Sequence, residues 1–482
     1  MSGIEVEFVR SQMLPPELPP VSQRGAVKWG RENLFSSPLN TTLTLLSLLT
    51  LYYLVSKSLP WLLNGVWNAN SLRECRDIII ANAGPDAPGA CWALIRARWH
   101  QFIFGFYLPP LWWRPILTFA LLFVALAPVL FADNKRAATI LVGSVTAILF
   151  VCLLALDGQW LHLVLITALM LGLLALSWLQ PGKLLIVTLL FPFAALWLLW
   201  GGSVWGPVCA LLGFGILALV YRLVSPKLGV VVGTAVGVVV ACIWWLALQG
   251  YVSGWLESLI PITLEKVDSD QFGGFLLAFV IGVASISVSL PIGILLALGR
   301  RSDMLLIKTL SVGFIEFVRG VPLITMLFTA SLLLQYFLPP QSNFDLILRV
   351  VILVTLFSAA YNAEVVRGGL AALPRGQYEA ADALGLDYWQ SQRLIIMPQA
   401  LKVSIPGIVS TFIGLFKDTT LVSFVGLADP LRGITTIVRA DINWKGIYWE
   451  PYIFVGAIFF LACFGMSRYS LYLERKLKTD HR

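Results

Sequence analysis

Charge is scarce in this sequence. Asp, Glu, Lys and Arg together make up 12% of its 482 residues, against roughly 25% in an ordinary soluble domain. Histidine is scarcer still, and His100, His162 and His481 are scattered without metal-ligand spacing, which argues against a histidine-built metal centre. No G-x-x-x-x-G-K-[ST] phosphate loop occurs. Lys183 follows a glycine, but it sits in the short 180–183 loop (QPGK) between hydrophobic runs and cannot form a phosphate cradle. Neither a catalytic triad nor paired carboxylates stand out, and no internal repeat is visible. A cleavable signal peptide is missing too. Residues 1–37 are polar and Pro-rich, and the first apolar run starts near Leu39, so that run is expected to stay as a signal-anchor helix.

What is present is apolar. Hydrophobic residues make up 58% of the chain, with 18 Trp and 28 Phe. A bilayer core of ~30 Å takes about 20 apolar residues per helix. Candidate spans fall at 39–62, 115–132, 137–156, 160–179, 184–201, 205–221, 228–250, 271–298, 320–338, 346–366, 405–425 and 450–472. The fold class is therefore an all-α polytopic membrane protein of about twelve transmembrane helices, with lipid as a partner. Loops 133–136 (DNKR), 157–159 (DGQ) and 180–183 allow only tight antiparallel neighbours. The net charge of +8 does not indicate nucleic acid, because the basic residues lie between apolar runs and not in one patch. They act as topology signals. With the N-terminus inside, 21 of the 34 Lys and Arg fall in cytoplasmic segments, and both termini are expected in the cytoplasm.

That orientation puts the 63–114 loop outside, where thiols oxidise. Cys75 and Cys91 lie in it and form a disulfide candidate. The other possibility is two reduced cysteines packed under an interfacial helix. Cys152, Cys209, Cys242 and Cys463 sit in apolar spans and are expected to be small core residues. The Trp-rich stretch 99–113 is expected to mark the headgroup belt, more simply than a docking surface for a soluble partner.

The chain divides by character into a cytoplasmic segment (1–38), a membrane scaffold of about seven helices (39–250), a core of about five helices (271–472) and a cytoplasmic tail (473–482). Spans from 115 to 250 are almost uncharged. Polar and charged residues enter the spans only from 271 onward, and intramembrane polar residues mark function.

Between the tenth and eleventh spans lies the loop 370–403, expected as two short helices in the cytoplasm. Pro374 opens the first and Gly385 ends it. Asp387 caps the second, with Gln390 completing a capping box, and Pro398 is expected to break the chain before the next span. Ala380 and Ala381 are expected to leave one face nearly bare for another protein. Glu379-Ala380-Ala381, three residues, Gly385, nine residues, Ile395, one residue, Met397 and Pro398 resemble the EAA loop of ABC importer permeases. That family has Leu where this chain has Met397, a volume-conserving exchange.

Residues 314–323 (FIEFVRGVPL), 361–369 (YNAEVVRGG), 376–385 and 416–422 (FKDTTLV) are similar to permeases for polar amino acids. Residues 32–38 (ENLFSSP), 89–93 (GACWA) and 101–107 (QFIFGFY) resemble permease subunits of the general L-amino-acid transporters. The resemblance spans 28–115 and 271–472, whereas 133–250 holds more spans than that family leads one to expect. It implies a type I ABC importer permease core in the C-terminal half, situated in a bacterial inner membrane. It further implies docking of Glu379, Ala380, Ala381, Gly385, Ile395 and Pro398 on a separate ATPase present in two copies. A second, related permease would complete a heterodimer, and a periplasmic amino-acid-binding protein would deliver substrate. This chain then binds no cofactor; ATP and Mg belong to the ATPase, and the chain itself is not an enzyme.

A zwitterionic substrate needs partners for both of its charges. Lys417 and Asp418, with Thr419 and Thr420, lie deep in the eleventh span. Either they bind or gate substrate, or they pair with Glu364, Arg319 or Glu316 of neighbouring helices. Residues 319–322 (RGVP) suggest a break lining the pathway or a plain kink. Glu364 and Arg367 either link the pathway to the loop or snorkel to the interface. An ion-coupled secondary transporter is the competing reading of twelve spans. It calls for repeats, which are not visible, and gives no reason for the capped loop.

Overall fold

The structure is a computed structural model and describes residues 25–132, 134–155, 160–337 and 345–478. His481, the 157–159 loop, Asp133, the first 24 residues and the last four lie outside the described residues. The chain forms two compact units, Met1–Arg96 and Ala97–Arg482.

In the first unit, α1 (Gly25–Asn33) precedes α2 (Pro38–Leu63). The Ser37 hydroxyl accepts the Asn40 N–H, and Pro38 takes a first-turn position that needs no donor. No residue of α2 is buried within the protein, as suits a helix surrounded by hydrocarbon. Ser71 caps α3 (Leu72–Ala83) through the Glu74 N–H. A disulfide joins Cys75 to Cys91, with Cα atoms 5.8 Å apart. Beside it the indoles of Trp61 and Trp67 lie 5.8 and 5.6 Å from Trp92. α4 spans Ala93–Phe104.

In the second unit the aromatic stretch departs from the expected headgroup belt. Trp99 stays at the surface, but Phe102 and Tyr107 are 0% and 2% exposed. The Tyr107 hydroxyl donates to the Leu199 carbonyl at 2.8 Å, and burial pushes its pKa up to about 12. Rings this large contribute most when fully enclosed; Tyr107 joins the core that Phe272, Leu277 and Val350 continue, and Phe102 lies against Phe454.

Helices α5 (Trp113–Leu130), α6 (Lys135–Ala155), α7 (Trp160–Leu179) and α8 (Leu184–Trp200) follow with short connections. They share one cluster around Val124, Val142 and Met170. α9 (Trp205–Leu228) pairs with α10 (Val230–Ile243), which widens into a π segment, Trp244–Leu248, before α11 (Gln249–Leu259). The Trp244 and Trp245 indoles donate back to the Cys209 and Ala210 carbonyls at 2.8 and 3.0 Å. Cys209 is buried as expected, whereas Cys242 faces outward.

The remaining helices are α12 (Gly274–Arg300), α13 (Leu305–Gly320), α14 (Leu323–Phe337), α15 (Leu346–Ala371), α16 (Arg375–Ala383), α17 (Tyr388–Ser391), α18 (Met397–Asp418), α19 (Pro430–Ala440) and α20 (Trp449–Lys478). α12 and α15 approach closely at Gly293, where a Cβ would sit 2.7 Å from the Asn362 Cβ. Among the described residues, eleven helices are long and apolar enough to cross a membrane, and twelve if α13 and α14 count as one bent span.

Two expectations about the spans change. The ninth, 320–338, is α14 alone; α13 precedes it at an angle of 100°. Val321 is extended at the break (φ −104°, ψ 132°), because Pro322 excludes the helical conformation from the residue before it. Pro398, in turn, does not break the chain. A π segment, Gln392–Ile396, carries the helix into α18, with Pro398 in its first turn. The wider turn accommodates the missing N–H.

Candidate functional site: the 370–403 loop and an ionic cluster

The 370–403 loop is rigid by local chemistry. α16 ends at Leu384, and Gly385 takes φ +68°, a left-handed conformation that glycine adopts without a Cβ clash. The Gly385 N–H donates to the Asp382 carbonyl at 2.9 Å. Asp387 and Gln390 then form the expected capping box: the Gln390 N–H reaches Asp387 Oδ1 at 2.8 Å, and the Asp387 N–H reaches Gln390 Oε1 at 3.3 Å.

The two faces of the loop differ. Glu379, Ala380, Gly385 and Pro398 are exposed and Ile395 is half-buried, while Ala381 is fully buried. Only one alanine is therefore presented outward, since adjacent helical residues point about 100° apart. Leu384, Tyr388, Trp389 and Leu394 are also exposed, at 53–71%. Toward the bundle, Gln399 Nε2 donates to Gln377 Oε1 at 2.9 Å. Arg301 Nη1 donates to the Tyr378 hydroxyl at 2.8 Å and to the Leu370 carbonyl at 3.3 Å. The Arg301 guanidinium also lies 5.3 Å from the Tyr378 ring centre.

Beside this attachment Glu364 gathers three guanidiniums. Arg367 Nε lies at 2.8 Å, Arg300 at 3.3 Å and Arg319 at 3.9 Å. Arg300 also reaches Glu316 at 2.8 Å, and Arg319 stacks over Tyr361 at 5.5 Å. The groups are partly exposed, so each pair contributes little stability alone. Together they fix how α12, α13 and α15 meet.

Lys417 and Asp418 stand apart from this cluster. Glu364, Arg319 and Glu316 are occupied with one another and with Arg300, and among the described residues neither Lys417 nor Asp418 forms an ion pair. Lys417 is exposed and Asp418 half-buried at the end of α18. The Thr419 and Thr420 hydroxyls donate back to the Phe416 and Lys417 carbonyls at 2.7 and 2.9 Å. A row of buried polar groups escaped the sequence reading. Ser289 Oγ lies 3.2 Å from both Ser358 Oγ and Asn362 Nδ2. The Ser358–Asn362 spacing of four was the available signal, since it sets both on one helical face. No group of three or more His, Cys, Asp or Glu converges on a metal-sized space among the described residues.

Residues 289–479 match the family described as the binding-protein-dependent transport system inner membrane component. The chain is 63% identical over 478 residues to the glutamate/glutamine/aspartate/asparagine transport system permease protein BztC of Rhodobacter capsulatus, covering 99% of this chain and 100% of that one. It is 34% identical to the inner membrane amino-acid ABC transporter permease protein YhdY of Escherichia coli, covering 96% of each. The glutamate/aspartate import permease protein GltK of Escherichia coli is 32% identical over 226 residues, 96% of that protein and 46% of this chain. The additional helices in 133–250 therefore lie within the length shared with the first two relatives.

Proposed function

Because the chain belongs to the ABC importer permeases for polar amino acids, we propose that it carries glutamate, glutamine, aspartate and asparagine, the amino acids in the name of its Rhodobacter capsulatus relative. It is a multi-span permease subunit of an ATP-binding-cassette importer and not itself an enzyme. Hydrolysis belongs to a separate ATPase chain, and a binding protein brings the substrate.

The finer reading is our own. ATP and Mg bind the ATPase, two copies of which press on the coupling loops, and a second, related permease completes the pathway. Both termini face the cytoplasm of a cell bounded by this inner membrane, and alternating access moves substrate across it. The scaffold is 39–250 and the transport core 271–472. Glu379, Ala380, Gly385, Ile395 and Pro398 meet the ATPase, with Ala381 packing the helix behind them. Lys417, Asp418, Thr419, Thr420, Glu364, Arg319 and Glu316 line the pathway. Lys417 in particular forms no ion pair among the described residues and is suited to a substrate carboxylate.

One observation carries the coupling role: a capped loop outside the spans exposes Leu384, Tyr388 and Trp389 while Tyr378 and Gln377 tie its other face to the bundle. Large aromatic side chains held rigidly in this way are typical anchors for a protein partner. The test is co-purification with the partner ATPase of the importer, comparing wild type with Glu379→Lys and Gly385→Pro. Loss of the ATPase and of substrate-stimulated hydrolysis is expected; unchanged behaviour in both variants would overturn the coupling role.

A further inference from the structure

The geometry points to a mechanical link between α16 and the α13–α14 break, made by two consecutive arginines at the end of α12. It rests on the importer reading above and names the residues through which motion of the coupling loop reaches the membrane helices. Arg300 and Arg301 lie about 100° apart around the helix end, so they reach different partners. Arg301 holds α16 through the Tyr378 hydroxyl and the end of α15 through the Leu370 carbonyl, at 2.8 and 3.3 Å. Arg300 divides between Glu316 on α13 and Glu364 on α15, at 2.8 and 3.3 Å.

Arg319, on the same α13, joins Glu364 and stacks on Tyr361. It stands two residues before the extended Val321, where the 100° bend begins. α13 turns Leu305, Leu306, Leu310 and Phe317 outward, all more than 60% exposed, and packs inward through Ile315 and Val318, 0% and 2% exposed. The ionic contacts stand beside this apolar seam and are the ties that charge or hydrogen bonding can reset. A displacement of α16 draws Arg301 with it. The stiff end of α12 moves Arg300 in step, which changes its division between Glu316 and Glu364. One nitrogen, Arg300 Nη1, is shared between the two carboxylates, and charge-assisted hydrogen bonds are sensitive to distance, so a small shift of Arg300 strengthens one contact at the expense of the other. Contact alone does not demonstrate coupling; a coupling energy does.

A double-mutant cycle on the complete importer in proteoliposomes measures it, with the ATPase and binding protein present and L-glutamate as the probe. Tyr378→Phe keeps the ring and removes the hydroxyl. Glu316→Gln keeps the shape and removes the charge. No hydrogen bond joins the two residues among the described residues; Tyr378 bonds Arg301 and the Leu370 carbonyl, and Glu316 bonds Arg300. Each single variant is expected to retain the ATPase on purification and to lower glutamate accumulated per ATP hydrolysed by about fivefold or more. The double variant is expected to fall no further than the worse single one, because both cut one chain of contacts. Singles that match wild type, or a double equal to the product of the singles, would overturn the link. So would loss of the ATPase from the Tyr378→Phe complex, which would make that residue part of the docking face. A wild-type complex that accumulates none of the four amino acids would instead remove the functional reading, and this one with it.

Discussion

Arg98 donates to the Asp441 carboxylate at 2.8 Å across 343 residues of sequence, joining α4 to the segment between α19 and α20. The hydrogen bond from Arg98 holds the Asp441 carboxyl below its ordinary range, and the Asn443 N–H adds to the effect. A depressed carboxyl stabilises the fold above its unfolded pKa of about 3.9, and the gain disappears as pH falls through the lower folded value. Arg98→Gln is therefore expected to lower stability at pH 6 by less than about 1 kcal/mol, since Arg98 is more than a third exposed. The difference from wild type should shrink below pH 4. Thermal unfolding of the purified protein in detergent between pH 6 and pH 3 measures this. A gap that stays constant over that range would show that the pair is not what the variant removed.

Gly385 and Asp387 shape the 370–403 loop through its backbone, by a left-handed turn and a helix cap. Gly385→Ala forces a Cβ into the left-handed region, at a cost of about 1–2 kcal/mol. Asp387→Ala removes a cap, at a cost of about 1 kcal/mol. Both variants are expected to weaken ATPase binding while the membrane helices keep their thermal stability. Titration of the permease with ATPase by light scattering gives the affinity. Weakening by Asp387→Ala but not by Asp387→Ser would identify the cap as the cause.

The Cys75–Cys91 disulfide closes a stretch of 16 residues, which corresponds to about 3 kcal/mol in the chain-entropy account. Replacing both cysteines with serine should make residues 64–96 more sensitive to protease than wild type, and the pathway helices should be unaffected. In wild-type cells a membrane-impermeant maleimide should label neither cysteine until an impermeant reductant is added. Labelling without reductant would count against the bond, and no labelling after reduction would count against an extracytoplasmic position.

Gly293 sets the spacing of α12 and α15. A Cβ there would lie 2.7 Å from the Asn362 Cβ and 3.0 Å from the Ala359 carbonyl oxygen. Gly293→Ala should cost about 1–3 kcal/mol through overpacking. Gly313→Ala, with nothing within 4 Å of the added carbon, is the control and should be neutral or slightly stabilising. Equal melting temperatures for the two variants would refute the close approach.

Much of the fold was legible because hydrocarbon imposes a simple rule on composition. α2, α7 and α12 are long apolar runs, and their positions follow from length alone. The capping box at Asp387 was legible because its partners are three residues apart. The bend itself was legible from Gly320 and Pro322 in residues 319–322, but the helix before it was not. Lys308, Glu316 and Arg319 dilute the apolar character of α13, so a hydropathy window passes over it and starts at the following helix. Nor was the ionic cluster, because Arg300 and Glu364 are 64 residues apart and meet only through the packing of α12 on α15. Lys417 and Asp418 drew attention as the conspicuous intramembrane charges, yet of the residues proposed to neutralise them Glu316 and Glu364 are held by Arg300, and Arg319 by Glu364. Local chemistry is written in short spacings; who pairs with whom across helices is decided by the crossing of the helices themselves.

The wide turn at Gln392–Ile396 gives this helix an unusual tolerance. A π turn holds one residue more than an α turn, so shortening the chain by one position there would leave both flanks facing as they do now. The same deletion in α18 would swing everything beyond it by about 100°. The cost would arise at Pro398, whose ring would then meet the carbonyl four residues earlier. The surplus residue thus separates two demands on one helix, the angle at which the loop leaves the membrane and the side of the helix that faces the bundle, and lets each vary without the other.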